Sequence, residues 1–128
     1  MEKDTTIAEE VLCKSRILAI KDTSDILCGK WKIFILGTLL VTGKMRFMEL
    51  LHTIDGIGKK MLSKELHDLE LNGLIHRTEI KTKPITVEYQ LSKQGKTLSK
   101  LIEEMITWGS QYRKDLLNLH EKKMNTEI

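Results

Sequence analysis

The segment IGKKMLSKELHDLELNGLI, Ile57 to Ile75, carries an apolar stripe and a basic stripe on what its spacing predicts to be one helix. Leu62, Leu66 and Leu69 recur at intervals of four and three, the period of a single helix face. On a helical wheel Leu66 and Leu69 fall within roughly 40° of Leu62. Lys60, Lys64 and His67 point nearly the opposite way, with Lys59 and Ser63 on the flank between. The cations sit in the first two turns. The acids Glu65, Asp68 and Glu70 fall later or on the shoulders. That polarity suits a helix whose leading end meets phosphate, because the N-terminal dipole and the ammonium groups then act together. Asn72-Gly73 predicts the stop, since both residues tolerate the left-handed conformation of a C-terminal cap.

Downstream of Gly73 the period changes from 3.6 to two. Leu74, His76, Thr78 and Ile80 alternate with Ile75, Arg77, Glu79 and Lys81, and Val87, Tyr89 and Leu91 alternate with Glu88 and Gln90. Both runs are rich in Thr, Val, Ile and Tyr, so a pair of strands is predicted. Lys81-Thr82-Lys83-Pro84 lies between them as a basic hairpin tip. Pro84 lacks an amide donor and suits the end of a ladder better than its middle. Upstream, Ile54 to Gly58 has turn chemistry, with two glycines and an aspartate. Phe47, Leu50 and Leu51 before it predict a short helix over Met48 to Thr53, and Lys44 to Phe47 a short strand. A short helix, a turn and a helix with a basic outer face make a helix-turn-helix. Two strands with a basic tip after it make a wing.

The flanks are helical. Ile7 to Ile20 has an incomplete apolar stripe, and Thr23-Ser24-Asp25 predicts a break that caps a second helix over Ile26 to Val41. That helix, with Trp31, Ile35, Leu36, Leu39 and Leu40, reads as buried on most of its surface. Ser92 is predicted to cap the last helix. There Leu98, Leu101, Met105, Trp108, Tyr112, Leu116 and Leu119 form a stripe longer than one small domain buries alone, so a twofold partner is the natural cover. Residues from Glu121 onward read as frayed. The fold expected is one winged helix-turn-helix domain over 1–128, mainly α with a small antiparallel β-wing. Within it, 1–25 is a dimerisation helix, 26–97 the core and 98–120 a second dimerisation helix.

Composition sets the bounds. In 128 residues, 41% hydrophobic and 30% charged side chains describe an ordinary globular domain. A net charge of +3 makes the distribution of charge more informative than its sum. The apolar run Ile33 to Val41 is interrupted and too short to span a bilayer. The polar, acidic start predicts no secretory signal, and two cysteines make no disulfide framework, so a cytoplasmic location is expected. The four histidines lack metal-ligand spacing, and no cofactor motif or catalytic constellation is present. The reading is therefore not of an enzyme, with neither metal nor cofactor expected.

Together these pieces resemble the HxlR-type winged helix-turn-helix transcription regulators, a bacterial group related to the MarR regulators. The resemblance rests on GKWKIFIL at 29–36, RFMELL at 46–51, GIGKKMLSKELHDLELNGLIHR at 56–77, PITVEYQLSKQGKTL at 84–98 and the pair Trp108-Gly109. It implies a symmetric dimer on double-stranded operator DNA, joined through the first and last helices, with Gly58 to Asn72 as the groove helix. By position, Lys59, Lys60, Ser63, Lys64 and His67 then face DNA. Lys81 and Lys83 reach the flanking backbone or minor groove. Arg46 and Arg77 match basic positions that are either contacts or structural. The chain departs from the group in two ways. Many members carry Ser or Thr where Gly58 stands, which leaves this groove helix less firmly capped. Some members sense oxidants through a cysteine shortly before the Gly-Lys-Trp element. Cys13 lies upstream of that place and Cys28 directly beside Gly29, so both are only candidates for a redox role, and a small buried apolar side chain is the plainer reading of Cys28.

The function expected is a DNA-binding transcriptional regulator. Its rival is a winged-helix protein–protein adaptor whose basic face is merely solvated. Lysines on phosphate give affinity without sequence information, whereas Ser63 and His67 are placed to touch base edges. The small-molecule effector and the operator sequence are not written in the residues.

Overall fold

A core of leucine and isoleucine forms where three helices meet a small sheet. In this computed structural model, which describes residues 2–126, the chain runs α1 (Glu2–Leu27), α2 (Lys32–Thr42), β1 (Met45–Arg46), α3 (Phe47–Thr53), α4 (Lys59–Leu71), β2 (Ile75–Ile80), β3 (Thr86–Leu91), α5 (Lys93–Lys96) and α6 (Ser99–Thr126). Ile35, Leu36 and Leu39 of α2, Leu50 of α3 and Leu62, Leu66 and Leu69 of α4 are almost wholly buried. Each such side chain stabilises the fold by about 1.5–3 kcal/mol relative to exposure. Ile75, Tyr89 and Leu91 close the core from the sheet.

The sheet has three antiparallel strands in the order β1-β3-β2. β3 is central. It pairs with β1 through Met45 opposite Tyr89, and with β2 from Ile75 opposite Leu91 to Ile80 opposite Thr86. The two strands and the tip expected from the period of two are present. The extra strand expected near Lys44 to Phe47 is confined to Met45 and Arg46.

Helix α4 ends as Asn72-Gly73 requires. Gly73 has φ +74°, its amide donates to the Glu70 carbonyl, and the Leu74 amide donates to the Leu69 carbonyl. These two bonds satisfy carbonyls that the last turn otherwise leaves open, and buried Leu69 and Leu74 provide the apolar contact of such a cap. Ser92 then fastens the far end of the wing to its start. Its hydroxyl donates to the Gly73 carbonyl at 2.6 Å and accepts from the Gly95 amide at 3.0 Å.

Three expectations are corrected. The break at Thr23-Ser24-Asp25 does not exist, and α1 continues to Leu27. Thr23 turns its hydroxyl back to the Ala19 carbonyl, and the Cys28 amide bonds the Ser24 carbonyl, so these residues are satisfied inside the helix instead of capping a new one. The turn comes at Gly29, φ +115°, and α2 starts at Lys32 rather than Ile26. Most of α2 is buried or half-buried, with Phe34 and Val41 exposed beside an apolar groove with Ile102, Met105 and Ile106 of α6. Ser92 caps the one-turn α5, not the long helix. Finally, α6 extends through Glu121 to Thr126; residues 127 and 128 lie outside the described residues.

The two long helices keep their apolar side chains largely uncovered within one chain. Ile7, Val11, Leu12, Ile17, Leu18 and Ile20 of α1 are all more than half exposed, and Trp108 of α6 is 67% exposed. Leu101, Met105, Tyr112, Leu116 and Leu119 of the expected α6 stripe are exposed as well. The residue that anchors α6 to the core is Ile102, one position off that stripe and 5% exposed.

Candidate nucleic-acid interface

The outer face of α4 is basic because its inner face is consumed by the core. With Leu62, Leu66 and Leu69 buried, the helix period forces Lys59, Lys60, Ser63, Lys64 and His67 outward, and all five are exposed. Among the described residues, none of the three lysines is in an ion pair. Gly58 is the N-cap, with extended backbone (φ −89°, ψ 163°) and no side-chain bond to the first turn. The opening amides of α4, beside Lys59 and Lys60, therefore have no side-chain cap, an arrangement that favours an anion.

The wing tip supplies the other two lysines. Lys81 and Lys83 flank Thr82, both exposed and both without an ion pair among the described residues. Thr82 sets the tip: its amide donates to the Ile80 carbonyl at 2.8 Å, its hydroxyl donates to the Pro84 carbonyl at 2.8 Å, and its oxygen lies 3.1 Å from the Thr86 hydroxyl. The Lys83-Pro84 peptide is cis. Pro84 lies beyond the ladder, where its missing amide hydrogen costs no strand bond.

Arg46 and Arg77 are engaged within the sheet. Arg46 Nε lies 4.0 Å from Glu88 Oε1, on the residue directly opposite in β3. The Arg46 amide donates to Glu49 Oε1 at the start of α3. Arg77 Nη1 lies 3.2 Å from Glu79 Oε1. The Arg77 guanidinium is held above its ordinary value, first by a hydrogen bond with Tyr89, its cross-strand partner, against a smaller opposing effect of burial and with help from Glu79.

On the side of α4 away from its lysines, Glu65 and Asp68 meet Lys32 of α2, a partner that sequence reading did not single out. Glu65, which belongs by charge to the outer face, is 8% exposed and turned inward. Its Oε2 lies 3.2 Å from Lys32 Nζ of α2, and Asp68 Oδ2 lies 3.6 Å from the same ammonium. The first contact is ionic rather than an aligned hydrogen bond, because Oε2 has no donor directed along a lone pair. The only sequence signal was position: Glu65 is adjacent to Leu66 and three residues from Leu62, on the edge of the buried stripe. Cys28 also differs from its plainer reading as a buried side chain. Cys13 and Cys28 are both exposed free thiols. Lys30, beside Cys28, lies with its ammonium 4.7 Å from the centroid of the Trp31 ring. No described helix is long and apolar enough to cross a membrane.

A helix-turn-helix followed by a basic-tipped antiparallel wing defines a winged-helix regulator. The HxlR-like helix-turn-helix family matches residues 26–116, and the chain belongs to that family. The HTH-type transcriptional regulator YdzF of Bacillus subtilis (strain 168) is 43% identical over 98 residues, covering 77% of this chain and 90% of that protein. An HTH-type transcriptional regulator of Methanothermobacter thermautotrophicus is 35% identical over 114 residues, 89% of this chain and 82% of its own length. Among solved structures, the redox regulator HypR in its reduced form superposes with a TM-score of 0.72 at 34% identity, covering 77% of this chain and 96% of that one. The protein is thus a transcriptional regulator and not an enzyme.

Proposed function

We propose that the chain acts in the cytoplasm as a homodimer that binds double-stranded operator DNA sequence-specifically, with α4 in the major groove and the β2–β3 tip on the flanking backbone or minor groove. The observation that carries this reading is the set of five exposed lysines, Lys59, Lys60, Lys64, Lys81 and Lys83, without ion pairs among the described residues and on the two elements that a winged helix presents to a duplex. Lysine holds phosphate as a point charge, and the amides at the start of α4 add to that field. Ser63 and His67 lie on the same face and meet base edges.

The apolar faces of α1 and α6 support a second copy as the partner, because a single chain leaves Ile7, Val11, Leu12, Trp108 and Tyr112 in water. Twofold symmetry then asks for an approximately palindromic operator, with half-sites about 34 Å apart. Cys13 and Cys28 are the candidate redox sites of this regulator, and alkylating both with iodoacetamide tests that role by whether DNA affinity changes. The test of the main reading is retention on duplex DNA. Lys60→Glu with Lys64→Glu should abolish it while circular dichroism and oligomeric state stay as in the unaltered chain. Full retention by that variant would favour the adaptor reading, in which the basic face is only solvated.

A further inference from the structure

The one charged residue that is buried among those described, Glu65, belongs to the groove helix but faces away from the groove. Its partner Lys32 is the first residue of α2, and the Lys32 ammonium sits between Glu65 Oε2 at 3.2 Å and Asp68 Oδ2 at 3.6 Å. Residues 65 and 68 are three apart, so their carboxylates are neighbours on one side of α4. A single cation held by both resists rotation of the helix, since rolling α4 either way lengthens one contact. The leucines beneath α4 cannot do this as well, because apolar burial is not directional. The Lys32 side chain is only 15% exposed and sits behind α4, out of reach of a phosphate on its far face.

The same short segment grips the turn of the motif. A Cβ at Gly56, φ +85°, would lie 3.6 Å from Trp31 Cη2, so the indole packs on the α3–α4 turn. Trp31 and Lys32 therefore touch the turn and the groove helix from one place. That place follows directly on α1, through Cys28, Gly29 and Lys30. Charge gives a further reason for the contact. Within α4, Lys59, Lys60 and Lys64 are matched by Glu65, Asp68 and Glu70. Lys32 offsets the two carboxylates that would otherwise oppose a polyanion.

We propose that Lys32 is a positioning residue for DNA reading: through Glu65 and Asp68 it fixes the rotation of α4 that brings Ser63 and His67 to base edges, and it ties that setting to the segment leaving α1. The inference rests on the DNA-binding reading above. Lys32→Met alone leaves a buried carboxylate without a cation and lowers stability, so it is paired with Lys32→Met/Glu65→Met, in which an apolar pair replaces the ion pair at little cost in stability. The probes are a duplex selected from a random pool by the unaltered chain and a scrambled duplex of the same composition. The expected result is that the double variant melts near the unaltered chain, while its preference for the selected over the scrambled duplex falls at least about tenfold, the worth of one base contact. Its affinity for the scrambled duplex and its salt slope should stay unchanged. Recovery of both stability and preference would overturn the proposal and leave the pair a stabilising contact only. A salt slope lower by about one per subunit would also overturn it, because Lys32 would then be a phosphate ligand. If the unaltered chain selects no duplex from the pool, the DNA-binding reading fails first and this inference with it.

Discussion

Single residues hold the wing against the helix-turn-helix. Gly95 admits no side chain, because a Cβ there would collide with the Leu74 carbonyl oxygen, which is backbone and cannot swing away. Gly95→Ala should therefore destabilise the protein by more than about 3 kcal/mol, or prevent folding at 37 °C, as thermal melts will show. Ser92→Ala removes both the bond to the Gly73 carbonyl and the cap on the Gly95 amide. Its cost should be about 1–2 kcal/mol, read from the denaturant midpoint at unchanged slope. Neither constraint was legible beforehand. Ser92 was readable as a cap from its type, but its second bond spans nineteen residues and closes only when the wing folds back. Glu65 and Lys32 escaped for a similar reason: a charge on the margin of an apolar stripe reads as solvated unless its partner from another helix is known.

Elements were legible where a period is long and a stop is unambiguous. Helix α4 shows three leucines at helical spacing and an Asn-Gly stop, and both of its faces lie as the spacing requires. The hairpin was legible from its period of two, but β1 pairing with β3 was not, since pairing Met45 with Tyr89 and Arg46 with Glu88, so far apart in the chain, leaves no local mark. The α1–α2 boundary misled because Ser and Thr serve equally as caps and as side chains bonded back along a helix, whereas Gly29 at positive φ held the real turn. In α6 the apolar stripe is legible, yet it is the outward one, and the anchor is its neighbour Ile102. Two tests belong here. Trp108 and Tyr112 stack on each other at 4.9 Å while exposed, so Trp108→Ala should barely change the fold of one chain but weaken self-association at least about tenfold by sedimentation equilibrium. Unchanged association would remove α6 from the interface. For the wing, Lys81→Ala with Lys83→Ala should lower the salt slope of DNA binding by about one per lysine while leaving sequence preference in place.

For the molecule as a whole, fold and function follow from one division of labour. The core takes the leucines of α4 and so turns its lysines outward, while the long helices leave apolar faces exposed that the proposed dimer would cover. A dimer offers the five lysines twice. If about six to ten of these ammonium groups meet phosphate, the logarithm of the binding constant should fall against the logarithm of salt concentration with a slope of about −5 to −9. The most direct measurement is this slope, taken on duplex DNA for the unaltered chain and for Lys60→Glu/Lys64→Glu. A steep slope for the first, with binding lost in the second at unchanged fold and dimer, is expected. A slope near −1, or binding that survives the double change, would contradict DNA recognition by the basic face of α4.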